Sequence, residues 1–261
     1  MLAPRADGAP ALTTLMAVPM PTLIAFDTAT ERMSVALSHR GRVFARSGEG
    51  GAKASTHLLP AIFDTLAEAG IALAELDAIA FGRGPGAFTG LRTACSVAQG
   101  LAFGADKAVL PIDSLLAVAE DARVEVGLDG RIWAVIDARM DQVYAAEYEH
   151  SAGRWSTRAS PCLTSCEALS ARWRDDPPQA VAGNAVEVYG PRLDSAAAPR
   201  APGATSNAAA LLRLAGRAWR EGEAVDPALA LPVYLRDHVA DTLVERQARR
   251  VAREAMATAK P

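Results

Sequence analysis

Apolar and polar residues alternate near the start of the chain in a pattern that predicts three antiparallel strands. Residues 23–26 are apolar and end in the polar turn 27–30, and every second residue of 33–37 is then apolar. Such alternation is typical of a half-buried strand. Gly41 marks a second turn before residues 43–46, so the opening segment is predicted to be a three-stranded meander.

Helical spacing of apolar residues then predicts two helices separated by a buried strand. The first helix is expected over 56–69, where Gly70 provides a stop signal. A strand is predicted over 76–81, and the glycine-rich loop 82–90 leads from it into a second helix over 90–103. Many residues on one face of this second helix are small, and small residues allow another helix to approach closely.

The pattern of the opening segment recurs in the second half of the chain. Residues 132–136 predict a strand that ends in Asp137, and residues 143–148 predict a return strand. Asp137 lies 110 positions after Asp27, and the same offset matches the two return strands. A strand, an aspartate turn and a return strand in both halves indicate two duplicated lobes.

These patterns predict four parts of the chain. We expect a flexible N-terminal extension over 1–19 and an N-terminal lobe over 20–109, also packed by the C-terminal helix. A second lobe is expected over 110–236, and a C-terminal helix or tail over 237–261.

Composition limits the environments and partners that the chain suits. Half of its residues are hydrophobic, which predicts a globular fold, and its formal net charge is −3, which gives no overall attraction to a polyanion. Three cysteines favour reduced thiols over a disulfide framework, and therefore the cytoplasm. No apolar run approaches the roughly 18 residues of a membrane span, so no membrane association is expected.

Residues for metal or nucleophilic catalysis are not grouped in the sequence. None of the four histidines lies within four residues of another, so no His-x3-His metal site is predicted. Cys162 and Cys166 have a spacing that suits a metal, but no nearby histidine completes a ligand set, and ordinary packing is the simpler interpretation. A Gly-x-Ser-x-Gly elbow is also missing. We therefore predict no catalytic and no metal-binding residues.

Four motifs together resemble the TsaB (YeaZ) family. They are Leu-Ile-Ala-Phe-Asp-Thr-Ala-Thr at 23–30, Gly-Arg-Gly-Pro-Gly-Ala-Phe-Thr-Gly-Leu-Arg at 82–92, Ile-Asp-Ala-Arg-Met at 136–140 and Pro-Val-Tyr-Leu-Arg at 232–236. The resemblance covers roughly residues 22–236 in the same order. One departure is His57, which is displaced from the position where family members often carry a histidine before this helix.

The resemblance implies an α/β fold with two duplicated lobes, the actin-like ATPase fold, which is ribonuclease H-like. It also implies a non-catalytic subunit for tRNA N6-threonylcarbamoyladenosine modification, a dimerisation partner and scaffold for the catalytic subunit TsaD together with TsaE. On this interpretation tRNA is bound only through the complex, and the chain forms a homodimer when alone. Two alternatives stay open: an actin-fold ATPase or small-molecule kinase, and direct tRNA recognition.

Weak candidates for nucleotide binding are Asp27, Thr28, Asp137 and Gly183. Phosphate-gripping turns normally carry glycine after the aspartate, and neither aspartate turn has one. The structural interpretation is that Asp and Thr stabilise each turn. We therefore expect no cofactor to be required, with a nucleotide at a subunit interface left open. Arg83 and Arg92, which flank the helix start after the glycine-rich loop, are the candidate anion contacts.

The two N-terminal helices carry the candidate partner interface. In the family this helix pair meets the equivalent pair of the partner, whereas the alternative is that the same residues form internal core. The candidate residues are Leu59, Ile62, Phe63, Leu66, Leu91, Ala94, Cys95, Ala98 and Leu101.

Overall fold

The computed structural model describes residues 20–236, so the expectations for 1–19 and 237–261 lie outside the described residues. Two mixed five-stranded sheets, each accompanied by helices, form the two lobes. This arrangement confirms the predicted two-lobed α/β fold. No helix in this part of the chain is long and apolar enough to cross a membrane.

The first sheet has the strand order β3-β2-β1-β4-β5. Its strands are β1 Leu23–Asp27, β2 Arg32–His39, β3 Arg42–Glu49, β4 Ala78–Gly82 and β5 Ala108–Ile112. The first three are antiparallel, as predicted for the meander, and β4 and β5 continue the sheet in parallel with β1. Arg40 and Gly41 both have positive φ in the two-residue turn between β2 and β3, which matches the right-handed twist of a hairpin.

The second sheet has the order β10-β9-β6-β7-β8 and repeats the opening hairpin. Its strands are β6 Gly130–Asp137, β7 Gln142–Ser151, β8 Arg154–Ser165, β9 Val181–Ala182 and β10 Arg200–Ala201. Asp27 ends β1 and Asp137 ends β6, and each strand pairs in antiparallel fashion with the next one. The duplication predicted from the aspartate turns is therefore present in the strand pairing.

Six α-helices within residues 20–236 cover the sheets. They are α1 Ala54–Ala69, α2 Phe88–Ala105, α3 Ser114–Glu125, α4 Cys166–Asp175, α5 Ala185–Tyr189 and α6 Ala208–Arg220. Helices α1 and α2 pack on one face of the first sheet, in a core that includes Phe26, Ile62 and Ala98. Helix α1 ends at Gly70, which has the left-handed conformation expected of a glycine stop.

Helix α6 returns to the first sheet after the chain has built the second one. Leu211 and Ala215 pack with Ala25 and Ala80 on the sheet face opposite α1 and α2. Strand β5 also belongs to the first sheet, although it straddles the boundary expected between residues 109 and 110. The two lobes are therefore interleaved along the chain.

A buried carboxylate joins the elements between the sheets. Glu120 on α3 accepts hydrogen bonds from Arg123 at 3.0 Å, from Trp155 on β8 at 3.0 Å and from Arg213 on α6 at 2.8 Å. Burial alone raises the pKa of Glu120, but these hydrogen bonds outweigh it and the pKa is lowered. The network holds α3 against both neighbours.

Candidate functional site: the cleft between the sheets

A cleft of about 510 Å³ lies where the two aspartate turns face each other. Four short segments supply most of its lining: 29–32 between β1 and β2, 85–88 at the start of α2, 136–140 at the end of β6, and 233–236 at the end of the described chain. All four belong to the sequence motifs described above or directly follow them. The motifs, which lie far apart in sequence, therefore meet at one site.

Asp27 lies beneath the cleft and is fully buried. Its Oδ1 accepts a hydrogen bond from the Ala29 amide at 2.5 Å, and its Oδ2 accepts one from the Ser206 hydroxyl at 2.5 Å. Burial raises the pKa of Asp27, partly opposed by these hydrogen bonds. Gly82 packs so closely that a Cβ there would overlap Asp27 Oδ2. Asp27 thus fastens the turn internally and does not line the cleft.

Thr28 ties the first turn to the glycine-rich loop. Its buried hydroxyl donates to the Gly90 carbonyl at 2.7 Å, and the Ala87 amide donates to the Ala29 carbonyl at 3.0 Å. A Cβ on Gly90 would overlap the Thr28 carbonyl oxygen, so the close approach requires glycine. These contacts give Thr28 a structural task in orienting the start of α2.

The second aspartate turn is also held by internal hydrogen bonds, but unlike Asp27 its aspartate lines the cleft. Asp137 accepts hydrogen bonds from the Arg139 amide at 2.8 Å and from the Tyr189 hydroxyl at 2.7 Å. The Asp137 amide donates to Asn184 Oδ1 at 2.9 Å, and both Asp137 and Asn184 line the cleft. Gly183 has φ +113 and passes directly over the Val135 carbonyl, so its glycine serves backbone packing.

The two candidate anion contacts, Arg83 and Arg92, lie at different places. Arg83 lines a separate small pocket of about 190 Å³ that also contains Asp113 and Tyr148. Arg92 lies on α2 beside the cleft, with its guanidinium 3.9 Å from the centroid of the Phe88 ring. The structure does not bring the pair together, because Arg83 precedes the turn of the glycine-rich loop and Arg92 follows it.

The C-terminal motif closes one side of the cleft, a role that the sequence pattern alone did not assign. The Val233 amide donates to the Arg83 carbonyl at 2.7 Å, and Arg236 Nη2 donates to the Ala138 carbonyl at 2.9 Å. Tyr234 accepts a hydrogen bond from Arg92 Nε at 3.2 Å. Residues 232–236 thus connect the glycine-rich loop with the second aspartate turn. In the sequence, the Pro-Val-Tyr-Leu-Arg motif was the only feature that marked these residues.

Most of the candidate interface residues are buried within the single chain, in line with the alternative that they form internal core. The core between these helices and the first sheet includes Ile62, Leu66, Ala94, Cys95 and Ala98. Leu91 is also buried, but it lies beside Gly84 and lines the cleft. Periodicity identifies the apolar face of a helix, but it does not tell which body covers that face. Leu101 is partly buried, whereas Leu59 is 39% exposed and Phe63 is 51% exposed.

A strongly exposed aromatic residue at the far end of the same helix pair was missed. Phe103, near the end of α2, is 85% exposed. In the sequence, Phe103 stands one position after the last residue of the apolar face predicted for the second helix, and this position could have marked it. Leu59, Phe63 and Phe103 are below called the outer helix surface.

Metal ligands do not cluster in residues 20–236, where no three His, Cys, Asp or Glu side chains are placed to hold an ion. Cys166 is buried in the core of the second lobe and Cys162 is partly buried against it. Burial raises the pKa of both thiols. Their positions fit the packing interpretation.

Comparisons with known proteins agree on one family. The sequence profile of TsaD, tRNA N6-adenosine threonylcarbamoyltransferase, matches residues 51–243. The chain is 34% identical to the tRNA threonylcarbamoyladenosine biosynthesis protein TsaB of Escherichia coli K12, over 84% of this chain and 96% of that protein. It is 46% identical to the TsaB of Haemophilus influenzae, over 48% of this chain and 53% of that protein, about half of its length.

A solved structure shows the same architecture. The YeaZ structure from Pseudomonas aeruginosa superimposes with a TM-score of 0.76 and 42% sequence identity, over 83% of this chain and all of that one. The motifs, the duplicated lobes and these alignments support one conclusion. The chain belongs to the TsaB (YeaZ) family and has its two-lobed, actin-like fold.

Proposed function

We propose that this chain is a non-catalytic subunit in tRNA threonylcarbamoyladenosine biosynthesis, which binds the catalytic subunit TsaD and, through the pair, TsaE. Its membership of the TsaB family supports the pathway. The observation that carries the binding role is the outer helix surface, where Leu59, Phe63 and Phe103 project from two neighbouring helices. Exposed aromatic residues of this kind are typical anchors of protein interfaces.

The shape of α2 also suits a partner helix. Gly100 and Gly104 lie on its exposed side, and a Cβ at either position would meet no atom within 4 Å. Glycines without neighbours in the single chain weaken a helix, and this effect is offset if a partner backbone packs there. We propose that TsaD occupies this surface in the complex, and that a second copy of the chain occupies it when TsaD is missing.

The aspartate turns support a non-catalytic role over the alternative of an actin-fold ATPase or kinase. Phosphate binding in such turns needs free backbone amides that point at the anion. Here the Ala29 amide donates to Asp27 and the Arg139 amide donates to Asp137. Because these two amides are already engaged, the turns offer fewer donors to the phosphates of a nucleoside triphosphate, which supports the non-catalytic role.

Replacing Phe63 and Phe103 by glutamate tests the binding role. We expect F63E and F103E to keep the native circular dichroism spectrum, because both side chains are exposed. Each should weaken the capture of TsaD by roughly tenfold or more, because an interface anchor is removed and a charge is buried. The measurement is the binding of purified TsaD to the immobilised chain.

Val188 provides the matched control. It is 56% exposed on α5 in the second lobe, so V188E makes the same kind of change away from the outer helix surface. We expect V188E to capture TsaD like the wild type, and also to support the recruitment of TsaE to the pair. Equal capture by wild type, F63E and F103E would refute the proposed surface.

A further inference from the structure

We infer that the rim of the cleft binds an unpaired nucleotide of the tRNA by stacking its base and contacting the neighbouring phosphates. The rim consists of Arg32, Phe88, Arg92, Arg139, Tyr234 and Arg236. This inference rests on the proposed function, because it adds an RNA contact to a subunit of a tRNA-modifying pair.

An aromatic pair supplies the stacking surface. The ring centroids of Phe88 and Tyr234 lie 5.1 Å apart at an interplanar angle of 42°. Phe88 is 37% exposed and Tyr234 is 40% exposed, so each ring keeps open surface. Arg92 holds the pair in place, with its guanidinium over the Phe88 ring and its Nε donating to the Tyr234 hydroxyl. Unpaired RNA bases stack on aromatic rings and on arginine planes of this kind.

The rim is basic although the chain as a whole is acidic. Four arginines stand at the rim, and the carboxylates that line the same cleft are Glu31 and Asp137. Arg139 lies 3.4 Å from each of these two carboxylates and offsets part of their charge. The three arginines that line the cleft exceed its two carboxylates by one positive charge, and Arg92 beside the cleft adds a second, in a chain whose formal net charge is −3. This local excess is complementary to an RNA backbone.

The cleft has the size and lining for one base. Its volume of about 510 Å³ lies within the range of roughly 300–1,000 Å³ typical of small-ligand sites. Leu91, Ile136 and Val233 are among its apolar lining residues. A base within a duplex has both faces covered by its neighbours, so only an unpaired nucleotide fits this arrangement. Because the turn amides are already used, the phosphates are expected at the arginines of the rim.

Binding of a labelled RNA to the purified full chain tests the inference. The probe is a stem–loop RNA with unpaired adenosines in its loop, and the comparison is the same strand annealed to its complement. Fluorescence anisotropy at about 50 mM salt should show weak binding of the stem–loop and weaker binding of the duplex. We expect Y234A to weaken stem–loop binding by about 5- to 100-fold, since the substitution removes one ring on which a base stacks.

Further variants separate stacking, charge and folding. Y234F keeps the ring and should retain most of the binding. R32A removes a rim charge that is not bonded to either ring, and it should lower the salt slope by about 0.7 for each phosphate that is no longer neutralised. The matched controls are F103A and R174A, which remove an exposed aromatic ring and an exposed arginine at other surfaces. Both should bind RNA like the wild type. Circular dichroism verifies that each variant is folded.

Several results would overturn the inference: no stem–loop binding at low salt, equal binding of the duplex, or undiminished binding by folded Y234A. Competition by adenosine monophosphate as strong as that of the stem–loop would assign the rim to a free nucleotide instead. Capture of TsaD by Y234A distinguishes the two proposals. We expect this capture to be normal. If Y234A loses RNA binding but still captures TsaD, the result supports the rim as an RNA site. If the wild type binds RNA normally but does not capture TsaD, the result refutes only the proposed function.

Discussion

The Ser206 hydroxyl donates a 2.5 Å hydrogen bond to the buried carboxylate of Asp27, although the two residues are 179 positions apart. Ser206 lies just before α6, and Asp27 ends the first strand of the chain. This hydrogen bond therefore connects the start of the returning helix with the first aspartate turn. It also explains why Asp27 is held away from the solvent of the cleft.

Asp27→Asn should change how stability depends on pH. Because burial raises the pKa of Asp27, the folded state holds its proton more tightly than the unfolded state. The stabilising contribution of that proton is complete below about pH 4 and is lost as pH rises through the folded pKa. The amide side chain introduced in D27N does not titrate, so this variant does not lose stability in that way. This amide group can still form hydrogen bonds with Ala29 and Ser206.

Urea unfolding of both proteins between pH 4 and pH 8 measures the difference. The stability of D27N relative to wild type should increase with pH, by up to about 1.4 kcal/mol per unit within the titration range. Comparing the two proteins removes the contributions of Asp113 and Glu147, whose pKa values burial also raises. A difference that is constant over the whole range would contradict the assignment.

Gly90→Ala should destabilise the chain strongly, whereas Gly100→Ala in the same helix should not. A methyl group on Gly90 would overlap the Thr28 carbonyl oxygen, but Gly100 has no atom within 4 Å of the added Cβ. We expect G90A to be less stable by about 1–3 kcal/mol through overpacking, and G100A to be more stable by up to about 1 kcal/mol from helix propensity.

Thermal or urea unfolding of the two variants gives the readout. The pair is matched in residue type, substitution and helix, so the difference isolates the contact between the glycine-rich loop and the first turn. Similar stability of G90A and G100A would argue that this contact is adjustable.

Ala98→Glu should unfold the single chain instead of only preventing association. Ala98 is completely buried in the apolar core between α2 and the first sheet. Burying an unpaired charge costs several kcal/mol, comparable with the stability of a whole domain. The expected observation is loss of the native circular dichroism spectrum. If A98E is folded but does not bind TsaD, Ala98 would instead be an interface residue.

The purified chain should neither hydrolyse ATP nor gain stability from it. The amides of Ala29 and Arg139, which phosphate binding would need, donate to Asp27 and Asp137. A ligand that binds the folded state raises the melting temperature increasingly with its concentration, so millimolar ATP is a sensitive probe. Phosphate release that disappears in D27A, or a clear thermal shift with ATP, would contradict this expectation.

The sequence predicted the meander, the two aspartate turns and the glycine-rich loop because their signals are local. Alternating residues and turn glycines decide the backbone over a few positions. Helix α3 was not predicted, since most of its residues are buried and no polar stripe marks its period. Strand β8 was also missed. It is an edge strand with mainly exposed or half-buried residues.

The arrangement at the cleft depended on contacts that no local pattern contains. The pairing of Arg92 with Tyr234 joins residues 142 positions apart, and that of Arg236 with Ala138 joins residues 98 apart. The division of α1 and α2 into core and exposed positions likewise depended on which faces the first sheet covers. The motifs indicated which segments contribute to the candidate site, but only the folded structure shows that these segments lie together at the cleft.

The return of α6 to the first sheet has a consequence for synthesis on the ribosome. The sheet face formed by Leu23, Ala25 and Ala80 is covered only when residues 208–220 have been made. At elongation rates of about 5–20 residues per second, about 100 further residues after β5 take on the order of ten seconds. During that interval the nascent chain presents an uncovered apolar sheet, so we expect holding chaperones to engage it before the second lobe is complete.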